Sequence, residues 1–307
     1  VLILNESRGM GMMLDKSCAE PLIAEISFVI PTFNRLSALV DCLKSLFSQR
    51  THVGFEIIVS LDSRDDVSET FMAAGYSRRV SVVRAARPGL NAARNRGITA
   101  AQGKFIAFLD DDCLILRQDW IDLLNARFRQ YPDAFAIGGG FISEENAPLF
   151  VRCRNRKSNA HVFDSRVSEV EVRSLLGGNS AYRKEVFTRL GFFDEFLRYG
   201  ATETELNERI SAVSGKLYFF AELSVVHAIK CRSLYQHCRQ AFFHGRGRAY
   251  SNTKGKNKVY LGRGAKATMR YLCALVSKEW SLCEKAGAVF FVVLNVIFYR
   301  IGFYWGR

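Results

Sequence analysis

From Ile26 to Ile137 the chain repeats one pattern, and that pattern leaves few folds open. A short, mainly apolar run ends at a polar residue, and a segment with helical period follows. The runs are Ile26–Ile30 (ISFVI), Phe55–Leu61, Val80–Val83, Lys104–Leu109 and Ala134–Ile137. Between them, Leu36–Phe47 places apolar side chains at 36, 39, 40, 43, 46 and 47. Leu90–Ala101 is alanine-rich, and Trp120–Phe128 is again periodic. Continuous apolar runs too short for helices read as strands buried on both faces. Strands alternating with helices at this spacing read as βαβ units. The sequence therefore predicts an α/β fold with a mostly parallel sheet flanked by helices.

In such sheets ligands sit at the carboxyl ends of the strands, so Thr32, Asn34, Asp62 and Asp110–Asp112 are expected to converge on one crevice. The run FLDDDC carries the strongest chemical signal. Three adjacent carboxylates repel one another unless a cation neutralises them, and oxygen ligands beside a phosphorylated substrate suit Mg²⁺ or Mn²⁺. If the strand continued through the triplet, Asp110 and Asp112 would face one side and Asp111 the other. Farther on, Asn155–Glu171 reads as a polar, irregular surface excursion and Leu175–Ser180 (LLGGNS) as a glycine-bearing turn. Arg183–Leu190 and Glu203–Val213 read as helices, and Lys216–Phe220 and Ser224–His227 as short strands.

The ordered set IPTFNR (Ile30–Arg35), the strand end at Asp62, GLNAARNRGI (Gly89–Ile98), AQGKFIAFLDDDC and a distal acidic helix resembles family 2 glycosyltransferases over about Ser27 to His227. The resemblance implies a GT-A-type, Rossmann-like fold and a nucleotide-diphosphate sugar as donor. It implies that Pro31, Thr32 and Asn34 form the loop under the nucleotide and that Asp62 contacts the base. Arg94 and Asn95 then line the nucleotide pocket, with Asp110 and Asp111 beside the nucleotide sugar. Asp112 and His227 would ligate a divalent cation, Mn²⁺ or Mg²⁺. On the acceptor side it points to Gly178, Asn179 and Asp194, the last also readable as a turn or cap residue.

Sugar transfer to a hydroxyl also needs a positioned carboxylate to remove the proton. The family supplies an Glu-Asp pair before a helix. The matching stretch here is GATETELNERI, in which Thr202 replaces the glutamate and Glu203 the aspartate. Glu203 is the first candidate base and Glu205 the second. Two residues apart at a helix start, they cannot both face the crevice.

The net charge is +13, and its distribution matters more than its size. Residues 1–222 are neutral overall. Residues 223–278 carry 12 Lys/Arg and no Asp or Glu, and residues 279–307 add +1. This is a neutral body with a basic segment, followed by the apolar run Ala286–Tyr299. That run is shorter than a bilayer span, and its aromatics and flanking Lys285 and Arg300 suit a membrane interface. The expected organisation is an N-terminal extension (1–25), a catalytic domain (26–227) and a basic, apolar, membrane-associating region (228–307). The catalytic domain divides into a nucleotide-binding half (26–140) and an acceptor-binding half (141–227).

The implied activity is metal-dependent, inverting transfer to a saccharide or lipid-linked acceptor, in cell-surface polysaccharide or glycolipid synthesis. The place expected for it is the cytoplasmic face of an anionic membrane. His244, Arg246 and Arg248 are expected to close over the donor as a loop. Val1–Asp15 shows no secretory pattern, and the eight cysteines form no CxxC pair, which fits free thiols in a reducing compartment. His227, Cys231, His237, Cys238 and His244 match no common zinc spacing. No nucleic-acid recognition motif accompanies the basic segment, so no nucleic acid is expected. A nucleotidyltransferase would want a glycine-rich loop where Pro31–Arg35 stands. A catalytically silent sugar-nucleotide binder is the remaining alternative, raised by the Thr202/Glu203 departure.

Overall fold

The computed structural model describes residues 24–62, 76, 80–144, 146–162, 169–197, 202–228, 233–254 and 281–306. Strands β1 (Ile26–Thr32), β2 (Phe55–Leu61), β3 (Val80–Arg84) and β4 (Phe105–Leu109) are parallel. They join β6 (Ala134–Gly138), β8 (Glu169–Val172), β9 (Asn179–Arg183) and β10 (Lys216–Phe220) in a sheet of order β3-β2-β1-β4-β9-β6-β10-β8. β6 and β10 pair in parallel, whereas β9 runs antiparallel to both β4 and β6, and β8 runs antiparallel to β10. A small second sheet pairs β5 (Cys113–Leu114), β11 (Val225–His227) and β7 (Phe141–Ile142).

Alternate residues of each strand feed opposite faces. Phe28, Ile30, Ile57 and Val59 pack with Leu39, Leu43 and Leu46 of α1 (Leu36–Phe47), and the same core takes in Trp120, Leu124 and Phe128 of α3 (Trp120–Gln130). Val29, Ile58 and Phe108 pack on the other face. There they meet Ile98 of α2 (Leu90–Ala100), Phe187 of α5 (Lys184–Leu190), and Leu206 and Ile210 of α6 (Thr202–Ala212). This double burial is why the strands read as unbroken apolar runs.

The chain steps outward from β1 through β2 to β3, then returns to place β4 on the other side of β1. The strand order reverses there, so a crevice opens beyond the ends of β1 and β4.

Three sequence expectations change. Leu149–Val162 forms helix α4, where an irregular excursion is expected from Asn155 on. Its amides explain the misreading: Asn155 and Asn159 look like loop residues but bond into the β7 backbone. Residues 179–183 form β9, a strand hidden in sequence by its polar buried Asn179 and Ser180. His244, Arg246 and Arg248 lie in helix α7 (Leu234–Lys254), not in a closing loop, and Arg248 pairs with Glu208 at 2.8 Å. Lys256 and Lys258 lie outside the described residues.

The apolar C-terminal run extends to helix α8 (Leu282–Trp305), started by a capping box between Ser281 and Glu284. α8 packs along α7 at two glycines. A side chain on Gly245 would strike the Tyr299 carbonyl, and one on Gly302 the Phe242 carbonyl. α8 also rests on α4 through Leu149, Cys153, Ala288 and Phe291, and Arg152 pairs with Glu284 at 2.5 Å.

Candidate active site

β1 delivers Pro31 and Thr32, both buried, to the crevice, and Asn34 follows with φ 54°, a left-handed turn that asparagine tolerates. β4 stops at Leu109, and Asp110–Asp112 form a turn closed by the Cys113 amide on the Asp110 carbonyl at 2.9 Å. The strand rule therefore no longer applies inside the triplet. Asp111 and Asp112 share one partner, and Asp110 faces elsewhere. Thr32 Oγ1 donates to Asp111 Oδ2 at 2.7 Å. Arg35 reaches Asp111 Oδ1 with Nη2 at 2.5 Å and Asp112 Oδ2 with Nη1 at 2.6 Å.

These contacts set the charges. Burial raises the Asp111 carboxyl, and its neighbours Asp112 and Asp110 add to this. Arg35 and Thr32 oppose it incompletely, leaving it at about 7. Burial also pushes Asp112 upward, but its pairing with the protonated His227 ring, with Arg35 and Arg154, outweighs burial and holds the carboxyl below its ordinary value.

His227, at the end of β11, points Nε2 at Asp112 Oδ1, 3.2 Å away. Asn155 of α4 fixes the ring. Its Nδ2 donates to the carbonyls of Ile142 and His227 and to Ser143 Oγ, so its Oδ1 is the acceptor, 3.1 Å from His227 Nδ1. Asn155 thus keeps a proton on Nδ1. A second proton on Nε2 pairs the ring with Asp112, and when that proton leaves, the Nε2 lone pair faces Asp112 Oδ1.

Asp112 Oδ1 is buried without an aligned hydrogen-bond donor. Two adjacent ligands about 2.1 Å from one octahedral ion lie about 3.0 Å apart, close to the observed separation. The carboxylate oxygen suits Mn²⁺ or Mg²⁺, whereas the imidazole nitrogen is a softer ligand than Mg²⁺ ordinarily takes. Cys113 lies in the same cluster. Burial, then Asp110 and Asp112, push its thiol well up, and sulfur is a soft ligand that a hard cation does not prefer.

The other wall is built on Arg94 of α2, which is 2% exposed. Its guanidinium lies over Phe193 and Phe108 at 5.4 and 5.7 Å, and Nη2 donates to the Gly177 carbonyl at 3.0 Å. Nη1 donates to Thr202 Oγ1 at 3.1 Å. Asp110 Oδ1 and Glu203 Oε2 each stand 3.9 Å from it. Gly177 and Gly178 fill the remaining space. A side chain on Gly177 would meet Arg94 and Glu203 at 2.8 Å, and one on Gly178 would collide with the Asp110 carboxylate.

Glu203 therefore joins this constellation, whereas Glu205 does not. Glu205 grips Arg209 with both oxygens at 2.8 Å, and Arg209 in turn holds the carbonyls of Leu190, Gly191 and Phe192.

Four other sequence candidates bond to the protein itself. Asp62 Oδ1 accepts from the Gly89 amide, fixing the turn into α2. The Asn95 amide clasps Phe193, accepting from its N–H and donating to its carbonyl. Asn179 Nδ2 donates to the carbonyls of Gly140 and Leu223. Asp194 Oδ1 accepts from the Phe196 amide in a turn. Two participants escape the sequence candidates. Arg35 was visible in IPTFNR as a cation beside a strand end, whereas Asn155 gives no sequence signal, because only the fold brings α4 to His227. Within the zinc-like set, His237 stacks on Phe291 and meets Asn295, away from His227.

The model for "Glycosyl transferase family 2" matches residues 27–191. The chain belongs to glycosyl transferase family 2. Among curated relatives, this family 2 chain is 23% identical over 222 residues to glycosyltransferase GlyA of Streptococcus pneumoniae, a match covering 68% of this chain and 31% of the relative. It is 28% identical over 219 residues to hyaluronan synthase of Pasteurella multocida, covering 60% and 22%. An uncharacterized glycosyltransferase of Rickettsia conorii is 40% identical over 94 residues, 30% of this chain and 15% of the relative. The chain thus spans a third or less of the length of these relatives. Its fold is similar to the mannosyltransferase PcManGT of Pyrobaculum calidifontis, solved with GDP-Man and Mn²⁺, with TM-score 0.65 at 15% identity over 92% of this chain and 88% of that one. The GT-A architecture expected from the sequence is the one found.

Proposed function

We propose that this family 2 chain is a cation-dependent, inverting glycosyltransferase. It moves a sugar from a nucleotide-diphosphate donor to a hydroxyl of a saccharide or lipid-linked acceptor, in cell-surface polysaccharide or glycolipid synthesis. The observation that carries the reading is the buried pair of Asp112 Oδ1 and His227 Nε2, 3.2 Å apart beside two further carboxylates at the β1/β4 switch point. Asp112 and His227 would hold Mn²⁺ or Mg²⁺, which when bound neutralises charge developing on the diphosphate leaving group. Thr32 and Arg35 keep Asp111 and Asp112 in place. Glu203 takes the acceptor proton. The acceptor oxygen bonds to the anomeric carbon as the bond from that carbon to the phosphate oxygen breaks, and the electron pair leaves on the nucleoside diphosphate. Asp110, Gly178 and Arg94 shape the wall between donor and base. Hydrolysis of UDP-glucose and GDP-mannose, with and without Mn²⁺, tests the reading. Cation-dependent cleavage that Asp112→Ala and Glu203→Gln abolish is expected, and unchanged turnover in both variants sinks it.

The reading includes peripheral contact with an anionic membrane on the cytoplasmic side. Among the described residues, α8 is the helix long and apolar enough to cross a membrane. Its packing along α7 supports lying on the surface instead. A spanning α8 would carry α7, with Arg239 and Arg246, into hydrocarbon, at about 2.5–3.5 kcal/mol per arginine.

A further inference from the structure

We infer that Thr202 is a positioning residue that clamps one oxygen of Glu203 and leaves the other to take the proton. The catalytic consequence rests on the reading of Glu203 as base; the clamp itself does not. Where the family resemblance places a glutamate, this chain has a hydroxyl, 2% exposed at the first position of α6. Its hydrogen-bond direction is forced. A guanidinium only donates, so Thr202 Oγ1 must accept from Arg94 Nη1 at 3.1 Å. The single hydroxyl proton is then free for Glu203 Oε2, 2.5 Å away. Arg94 Nη1 itself stands 3.9 Å from that oxygen, too far for a direct bond, so the hydroxyl relays the interaction. A hydroxyl that accepts from a cation donates more strongly.

Arg94 cannot drift, because Gly177 and two aromatic faces hold it. Among the described residues, the contacts of Glu203 with Thr202 and Arg94 are made by Oε2. Oε1 is therefore the oxygen left to receive the acceptor proton. Among the described residues, the other groups facing Glu203 are Tyr182 from β9, Gly177 from the preceding turn, and Asp110 beyond Arg94. Glu205 on the same helix is turned to Arg209. A glutamate at 202 would set a second carboxylate against the first, whereas threonine donates without titrating.

The test is donor hydrolysis by the full chain with Mn²⁺, read as kcat and KM separately. Removing the hydroxyl in Thr202→Val should lower kcat by about tenfold or more, the scale of one hydrogen bond to a charged group, and leave KM within about twofold. Thr202→Ser should restore the wild-type kcat. Thr202→Ala supplies a second hydroxyl-free variant should valine disturb folding. Wild-type kcat in both hydroxyl-free variants while Glu203→Gln is slow, or a serine variant as slow as valine, overturns the clamp. Glu203→Gln that retains donor hydrolysis overturns the base assignment instead.

Discussion

His227 and Asp112 meet at 3.2 Å although 115 positions separate them in the chain, because β11 pairs with β5 directly after the aspartate turn. Asn155 completes the arrangement by holding the far ring nitrogen. Outer residues that orient a metal ligand typically contribute 10–100-fold in affinity. Asn155→Leu should therefore weaken Mn²⁺ binding by about tenfold or more, while His227→Ala weakens it further. Electron paramagnetic resonance of free Mn²⁺ against added protein reads both without any donor. Equal binding by the wild type and Asn155→Leu would remove the orienting role.

Asp111 gives a pH prediction with a definite sign. Its folded carboxyl titrates at about 7, above its ordinary value of 3.8, so between these limits the folded state binds more protons than the unfolded state. Stability from this group is then present below pH 3.8 and is lost as pH rises toward 7. Asp111→Asn removes the charge, so its melting temperature should gain on the wild type from pH 5 to pH 8 without added cation. A constant difference across that range would contradict the shift.

Glu203 and Glu205 separate by role. Glu203→Gln should lower donor turnover by about 10²–10⁴-fold, the usual contribution of a general base, with little change in melting. Glu205→Gln breaks the two-pronged grip on Arg209 and loosens the Leu190–Phe192 carbonyls. It should cost about 1 kcal/mol of stability and leave turnover within about twofold. Thermal melts alongside hydrolysis rates check both, and the reverse pattern would exchange the two roles.

Gly178→Ala tests the wall beside the aspartates. The added carbon would collide with the Asp110 carboxylate. Asp110 should be pushed toward Arg94, and donor affinity, read by isothermal titration with UDP and Mn²⁺, should fall by about tenfold, or about 1.4 kcal/mol. Unchanged affinity would show that this turn does not border the nucleotide.

The parallel half of the sheet was legible because strands buried on both faces must be apolar throughout, as in Ile26–Ile30 and Phe55–Leu61. β9 was not, because it carries the buried polar residues Asn179 and Ser180, and the Asn179 amide finds its acceptors in the Gly140 and Leu223 carbonyls, far away in sequence. The aspartate triplet announced its chemistry but not its geometry: the strand ends one residue before it, and a turn brings Asp111 and Asp112 to the same arginine. Glu203 was reachable by position, but its advantage over Glu205 depends on Arg94 and Arg209, which no local pattern links to either.

The C-terminal helix pair gives the last prediction. α8 leaves Val289, Phe290, Val293, Ile297 and Ile301 substantially exposed along one stripe, spaced three or four residues apart after Phe290, with Tyr304 and Trp305 beyond. Such a stripe beside a strongly basic segment suits an anionic interface, where burial of apolar area and attraction to headgroups add together. Phe290→Glu with Ile297→Glu should release the chain from phosphatidylserine vesicles in a flotation assay, and neutralising Lys254, Lys256 and Lys258 should weaken binding in a salt-dependent way. Phe290 and Ile297 lie on the exposed stripe of α8 and take no part in the contacts of Asp112 or Glu203 given above, so hydrolysis of soluble donor should persist in their double variant. Vesicle binding that survives both sets of substitutions would assign the stripe to contact with protein, and sedimentation equilibrium of the two variants would then show whether that partner is a second copy of this chain.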